Sequence, residues 1–407
     1  MYIFSVILVS GCPSGSSVPK SGLFVAVALF SVAFRIVMIP LKPVLSHDIM
    51  RFLWDGRLLA NGVNPYLYRP NAPELDAFKN VSYFLDYEFK YTFTIYPPVA
   101  QLLFGGTYLL TGDDPLCIKI VVASLDAINI LLLTILLREV KGGISLSCLV
   151  MYAWSPLLIV ESVGNAHIEP LMTFFLLLSL HLLSKRRFRL SSLSFSLACW
   201  SKLYPILLLP VYLKYLRDSK SRGLRGFALF FTLSSSLVLL PVFISSGPNL
   251  LHQISWYSQN IVYNSSVFAV VDGVLASLGV GSVIAKVLVY AAFLASVTSI
   301  LKLKRAGSLL DVADTSILVF GAFLLFAPAV FQWYALWLLP FLAIRGMDRD
   351  VMPWLYLSGA IVLAYLPQFS LNYDAITFSL LEYVPFYLLL GFLLLMKTKS
   401  FSKGLLK

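Results

Sequence analysis

Asp48, Arg51 and Asp55 stand at i, i+3 and i+7 in a chain that is otherwise mostly apolar. They belong to the stretch Leu45 to Pro70, LSHDIMRFLWDGRLLANGVNPYLYRP, the one long run where acids, bases, aromatics and turn residues crowd together. The spacing predicts a helix from Asp48 to about Leu59. At about 100° per residue this helix sets the three side chains on one narrow arc and Arg57 on the opposite side. Ser46 and Asp48 supply a start signal and Asn61-Gly62 a stop, and the chain then turns at Asn64-Pro65. Carboxylates flanking an arginine are costly beside lipid, so such a group reads first as a working site for proton transfer and anion binding. The plainer alternative is a solvated face on which Asp48 and Asp55 pair with Arg51 and Arg57.

Other polar residues interrupt apolar runs further along. Glu161 to Pro170 reads ESVGNAHIEP and places His167 and Glu169 where no ordinary loop requires them. Lys202, in the run WSKLYP with Tyr204, is a lone cation in an apolar setting and wants an anion there, unless it snorkels to the interface. His167 has its own plain reading as a group that hydrogen-bonds a helix end. Arg35 and Asp126 each sit alone within an apolar run; Arg35 either snorkels or faces a polar cavity, and Asp126 needs a partner or a cavity. Tyr66 and Tyr96 lie in an aromatic-rich segment that includes Phe78, Tyr83, Phe84 and Tyr87, and Trp333 follows much later in FQWY. These rings suit a headgroup-level belt, a lipid-substrate surface or plain packing.

These residues need elements to hold them, and composition says which kind. The chain has 407 residues, 59% of them hydrophobic and 13% charged, with mean hydropathy +0.84. So much apolar surface cannot be hidden in a soluble domain, which makes this an all-α polytopic membrane protein. The net charge of +11 lies in short basic clusters between apolar runs, where positive-inside topology puts them, and no basic face exists for nucleic acid. The four cysteines are scattered without disulfide or metal spacing and read as buried free thiols. Val9-Ser-Gly-Cys12 is only faintly like a lipoprotein box and is discounted, as is a cleaved signal peptide.

Hydropathy gives about ten to twelve spans, using about 20 residues per crossing. The first runs from about Leu23 to Leu41, and 42–94 is a large first extracytoplasmic loop carrying amphipathic helices. Residues 245–279 form a second extracytoplasmic segment within a single integral-membrane domain over 1–407. The basic loops at 185–189, 214–225, 302–305, 345–349 and 397–407 fit one side; 42–94, 245–279 and 367–375 fit the other. Parity between Tyr96 and Arg138 does not resolve. The two short runs around Lys202 read as a re-entrant pair or one broken helix.

In this order, the motifs resemble the GT-C class of integral-membrane glycosyltransferases. A span is followed by the acid-bearing helix, the NPY turn, and then Tyr96-Pro97-Pro98 opening the next apolar run. Within that class, HDIMRFLWDGRLLANGVNPYLYRP is similar to the bacterial and archaeal branch that uses polyprenyl-phosphate-linked mannose. It is also similar to the catalytic subunit of eukaryotic GPI mannosyltransferase I. Gly164 to Pro170, Lys202 to Pro205, and Gln332-Trp333-Tyr334 with Trp337 and Pro340 are further matches. The resemblance implies a GT-C fold and transfer of a sugar, mannose first, from a polyprenyl-phosphate donor to a lipid-linked glycan or glycolipid.

Such a transfer passes through an oxocarbenium-like state. An inverting route needs a carboxylate to take the acceptor's proton and donors to meet the phosphate's developing charge. By resemblance Asp48 is that base, with Asp55 second, orienting the acceptor or holding Arg51. Family members often carry a neighbouring second acid where this chain has His47, which leaves the base assignment open. Lys202, then Arg57 and Arg51, are the expected phosphate ligands, and His167, Glu169, Tyr66, Tyr96, Tyr204 and Trp333 the substrate contacts. No cofactor is assigned; an aspartate pair seven apart with one histidine is no metal signature by itself, and a divalent metal stays open. The expected setting is the plasma membrane of a prokaryote, or the ER membrane of a eukaryote, with an extracytoplasmic site. A non-catalytic transporter or flippase of polyprenyl-linked sugars is the rival, using the same charges for binding alone.

Overall fold

The computed structural model describes Val6 and residues 20–84, 88–369 and 375–405. The Val9–Cys12 box, Tyr87, Lys407 and most of 367–375 lie outside them. The described chain is helical, with a single isolated parallel bridge between Tyr263 and Ala329. Seven of its helices are long and apolar enough to cross a membrane, among them Pro115–Lys141, Leu224–Asn260 and Ser282–Leu303. Gly22–Met38, Glu169–Ser184 and Val267–Ser277 are apolar but shorter. Hydropathy alone predicts ten to twelve spans, and the difference arises where apolar runs bend or stop inside the protein.

The first such place is beside the acidic helix. Helix α1 spans Lys20–Met38, and α2, Asp48–Ala60, starts and ends within a residue of the predicted bounds. Ser46 Oγ accepts from the Asp48 amide at 3.2 Å, and Gly62, at φ +75°, ends the helix in a left-handed turn that favours glycine. The rest of the loop is built of three short 3-10 turns, Pro73–Phe78, Ser82–Phe84 and Glu88–Tyr91, instead of further amphipathic α-helices. Helix α3, Pro98–Thr111, opens on a proline whose missing N–H has no partner to lose there. Tyr96, just before α3, bonds Asp48 at the start of α2, and Asp113, just after α3, pairs with Arg57 near the end of α2. The two helices therefore run parallel side by side. Lys119, in the helix after α3, donates to the Met38 and Leu41 carbonyls at the end of α1, so both ends of α3 lie on one side and α3 is not a crossing. That resolves the parity between Tyr96 and Arg138: α4, Pro115–Lys141, is the next span.

The ends of the molecule sort accordingly. At one end Lys141 donates to the Arg345 carbonyl (3.0 Å), Lys185 pairs with Glu139 (2.7 Å), and Arg345 pairs with Asp314 (2.6 Å). At the other, Asn64 bonds Ser245 (2.9 Å), Asn249 bonds the Tyr66 carbonyl (3.1 Å), and the Phe93 amide donates to Gln253 (3.0 Å). Helix α5, Leu146–Ala153, continues past Trp154 through Pro156–Leu158 into a π-turn at Ile159–Gly164, and α6 follows at Glu169–Ser184. Helix α7, Phe188–Ser201, stops at Lys202, whose backbone is extended; a 3-10 turn and α8, Leu209–Asp218, follow. The Phe188 ring at the start of α7 packs over Gly223, just beyond α8. The chain thus leaves and returns at one end, and the stretch around Lys202 is a re-entrant pair.

Helix α9, Leu224–Asn260, carries on well past residue 244, bending at Ser246 between Pro241 and Pro248. The region 245–279 is therefore the C-terminal part of that helix followed by a second apolar helix, α10, Val267–Ser277. Then come α11, Ser282–Leu303, and α12, Leu309–Phe326, which opens with a Ser308–Asp311 capping box. The FQWY motif forms a buried 3-10 turn, Gln332–Trp337, inside the bundle. Helices α13, Leu339–Arg345, α14, Met352–Ala360, and α15, Ala375–Leu405, complete the chain.

Arg35 and Asp126 answer each other's need. Nη2 and Nε of Arg35 lie 2.7 and 2.8 Å from Asp126 Oδ2, and Tyr152 donates to Oδ1 at 3.1 Å. Arg35 also donates to the Ser31 and Ala153 carbonyls, so the buried charges are paired and hydrogen-bonded rather than snorkelling. Cys148 and Cys199 are buried and Cys117 partly so, all as free thiols.

Helices α2 and α3 meet where glycines remove the side chain. A Cβ on Gly56 would lie 2.4 Å from the Phe104 carbonyl oxygen, and one on Gly105 would lie 2.9 Å from Leu59 Cδ2. The Gly56 obstacle is backbone, which cannot rotate away. Gly56→Ala should therefore destabilise the detergent-solubilised protein by about 1–3 kcal/mol, read as a lowered Tm. An unchanged Tm would mean that this crossing does not hold the helix.

Candidate active site

The helix predicted to carry one polar arc divides it between two jobs. Arg51 Nε pairs with Asp55 Oδ1 at 2.9 Å, one turn on. Asp55 is fully buried, and its other oxygen accepts from Thr94 Oγ1 (2.6 Å) and Gln101 Nε2 (2.8 Å). Arg51 Nη1 reaches the Thr92 carbonyl at 3.0 Å. This network ties α2 to the strap that leads into α3. Asp48, at the head of the helix, faces a cavity of about 680 Å³.

Asp48 Oδ2 accepts a hydrogen bond from Tyr96 at 2.8 Å and lies 3.7 Å from His167 Nδ1. Its side chain keeps 18% of its surface open, toward the cavity, while protein encloses the rest. Burial raises its carboxyl above the ordinary value; the Tyr96 hydrogen bond opposes that rise. The Tyr96 hydroxyl is pushed well above its ordinary value by burial and by the neighbouring Asp48 charge, so it stays protonated as a donor. Tyr96 is itself wedged edge-on between Phe52 (5.0 Å) and Phe104 (5.5 Å).

His167 sits behind Asp48. Burial first, and Lys202 second, hold its imidazole well below the ordinary value, so it is neutral. Its Nε2 lies 3.5 Å from Glu161, which accepts from Tyr365 (2.9 Å) and Asn165 (3.2 Å). The positive φ of Ala166 (63°) turns the chain so that His167 comes back under the π-turn, where its amide bonds the Glu161 carbonyl at 3.0 Å. A run of near-parallel rings fixes its plane: Trp333 at 3.9 Å, then Phe331, then Tyr263.

Lys202 reaches the same cavity from the break in the re-entrant pair, its ammonium paired with Glu169 in the first turn of α6. Tyr204 lines the wall beyond, its hydroxyl 2.8 Å from that of Tyr334, which is 3.1 Å from that of Tyr257. Trp256, Tyr290, Phe323 and Phe331 add apolar surface. The cavity thus combines a carboxylate, a lysine and a long aromatic wall, which suits an anionic headgroup on an apolar tail.

Of the residues singled out by sequence, Asp48, Arg51, Tyr96, Lys202, Tyr204 and Trp333 line the cavity. His167 and Glu169 lie directly behind it, against Asp48 and Lys202. Asp55, Arg57 and Tyr66 are elsewhere. Arg57 pairs with Asp113, which also accepts from Tyr83, and Tyr66 donates to the Tyr96 carbonyl at 2.6 Å and so supports the strap. Glu161, Tyr365 and Tyr257 join the group without having been singled out as site residues: Glu161 only opens the polar stretch that holds His167 and Glu169, and neither tyrosine stands at a spacing that marks a site. Among the described residues no three His, Cys, Asp or Glu side chains are arranged to hold a metal ion.

Three comparisons bear on this arrangement. Residues 16–216, just under half of the chain, match the family model described as alpha-(1->6)-mannopyranosyltransferase, N-terminal domain. That stretch contains Asp48, Tyr96, His167, Glu169 and Lys202. No curated protein matches the sequence. Among solved structures, the chain is similar to ArnT from Cupriavidus metallidurans, crystallised bound to undecaprenyl phosphate. The TM-score is 0.51 at 16% identity, over 85% of this chain and 64% of that one. The chain therefore spans just under two thirds of the length of that protein and shares its fold.

The two aspartates should separate in stability. Asp55→Asn leaves the Arg51 charge buried without its partner and should cost about 3–5 kcal/mol. Asp48→Asn keeps an acceptor for Tyr96 and relieves a buried charge, so its Tm should stay close to wild type. Thermal melts of both variants in one detergent check this; equal losses would contradict the division of roles.

Proposed function

We propose that this GT-C-type, mannosyltransferase-like membrane protein transfers a sugar, mannose first, from a polyprenyl phosphate to a lipid-linked glycan or glycolipid. The reading places the reaction on the extracytoplasmic side of a prokaryotic plasma membrane, since the cavity lies at the end opposite the basic loops. The observation that carries it is the pairing of Asp48 and Lys202 on one aromatic-walled cavity. The match of residues 16–216 to a mannopyranosyltransferase domain supports the sugar. The undecaprenyl phosphate held by the structural neighbour supports the donor class.

In this reading the donor's phosphate meets Lys202 and its isoprenoid lies along Tyr257, Tyr290 and Phe323. Asp48 takes the acceptor hydroxyl's proton while that oxygen attacks the anomeric carbon from the face opposite the phosphate. The C–O bond to phosphate breaks with its electron pair on the phosphate oxygen, where the ammonium meets the growing charge. Tyr96 and His167 hold the Asp48 carboxylate in line. Burial suits the base role, because a carboxylate raised above its ordinary value is a stronger base. Arg51, Asp55 and Tyr66 serve by fixing α2 and the strap; Arg57 pairs with Asp113 and does not line the cavity, so it is given no phosphate role.

Single-turnover transfer from synthetic polyprenyl-phosphate mannose into a total lipid extract tests the reading. Asp48→Asn should slow transfer on the order of 10³-fold with donor binding retained. Equal rates in both proteins would remove Asp48 from the chemistry, and binding without transfer in wild type would favour a carrier of polyprenyl-linked sugars. Tyr96→Phe supplies a second test through pH. The Tyr96 hydrogen bond stabilises the carboxylate, so its loss raises the Asp48 value further. The acidic limb of kcat/KM should then move to higher pH, whereas a purely packing role for Tyr96 would leave that limb in place.

A further inference from the structure

The Lys202 ammonium is already neutralised before any phosphate arrives. Glu169 holds it from behind: Glu169 is about 1% exposed, does not line the cavity, and has its Oε2 without a hydrogen-bond partner. Lys202, about 9% exposed, lines the cavity and gives one donor to Glu169. An ammonium has three donors, so an anion in the cavity can reach Lys202 while Glu169 stays in place. Glu169 also opens α6, where the helix dipole favours a carboxylate and keeps it there independently of the lysine.

We propose that Glu169 is a positioning residue that weakens Lys202's hold on the dianionic lipid phosphate left after sugar transfer, and so drives product release. The inference rests on the reading of the site given above. The donor is a phosphodiester with one negative charge. When its C–O bond breaks, the electron pair stays with the phosphate, the proton of the acceptor goes to Asp48, and the remaining phosphate monoester carries between one and two negative charges at neutral pH. Lys202 alone would therefore bind product more tightly than donor. A carboxylate fixed behind the ammonium repels the more highly charged species more strongly, because the interaction scales with the product of the charges. Arg51, the other cation lining the cavity, does not offset that repulsion, being already committed to Asp55. The pair thus keeps a cation available for the developing charge without turning the spent carrier into a trap.

The test measures a ratio within each protein, which is insensitive to how much of a preparation is folded. For wild type, Glu169→Gln and Glu169→Asp in detergent, the Kd of undecaprenyl-phosphate mannose and the Ki of undecaprenyl phosphate are determined side by side. Glu169→Gln should lower the Ki relative to the donor Kd on the order of tenfold and shift the slow step toward release, seen as a burst of product in the first turnover. Glu169→Asp, which keeps the charge, should restore the wild-type ratio in large part. An unchanged ratio in Glu169→Gln with reduced Vmax would make Glu169 a structural partner only and overturn the inference. A weakened affinity for both ligands would make it an aligner of Lys202 and overturn the inference equally. Wild type that binds neither lipid would instead overturn the proposed function itself.

Discussion

The buried pair of Arg51 and Asp55 is the constraint on which the site depends. Two charges out of water are tolerable only when each is matched and the remaining hydrogen-bonding capacity is filled. Here Thr94 and Gln101 supply the donors for Asp55, and backbone carbonyls of the strap receive Arg51. Such a network has one geometry that satisfies all its members, so it fixes both the rotation of α2 and the path of residues 92–97. Asp48, two turns earlier on the same helix, is aimed as a consequence. Tyr96, at the end of the strap, arrives beside it for the same reason.

A second buried pair, none of whose members lines the cavity, does comparable service. Arg35 on α1 and Asp126 on α4 draw together the spans that flank the π-turn, and Tyr152 on α5 completes the link. The irregular backbone at Ile159–Ala166 lies inside this frame. It is tolerated at membrane depth because protein encloses it and its polar groups find partners: Asn165 bonds Leu45 and Glu161, and the His167 amide bonds the Glu161 carbonyl. His167 is therefore delivered to Asp48 by a distorted segment that two rigid anchors over-determine.

Much of this was legible in the sequence, and the parts that were not share a physical cause. The bounds of α2, the glycine stop, the proline opening of α3 and the need of Asp126 for a partner or a cavity all follow from local rules. What one face of a helix does cannot be read from its periodicity. Asp48, Arg51 and Asp55 share an arc, yet Asp55 is consumed by Thr94 and Gln101, residues about 40 and 46 positions away. Arg57 was a natural phosphate ligand by charge alone and is instead matched by Asp113, which the sequence presents only as part of a turn. The span count fell for a related reason. An apolar run of the right composition, such as 98–111, can pack along a neighbour instead of crossing, and only the glycine contacts at Gly56 and Gly105 reveal which.

The charges around the cavity show a common pattern. Arg51 is held by Asp55, Lys202 by Glu169, and neutral His167 separates Asp48 from Glu161. A site built to grip an anion as tightly as possible would leave a cation unmatched, at a large cost in burial. Pairing every cation lowers that cost and also limits ground-state binding of the phosphate. A limit of that kind favours turnover, because interactions that strengthen only as charge develops contribute to rate, while uniform binding does not. In the proposed mechanism the same carboxylates that stabilise the buried cations reserve Lys202 for the transition state, so that stability and catalysis place the same demand on the sequence at these positions.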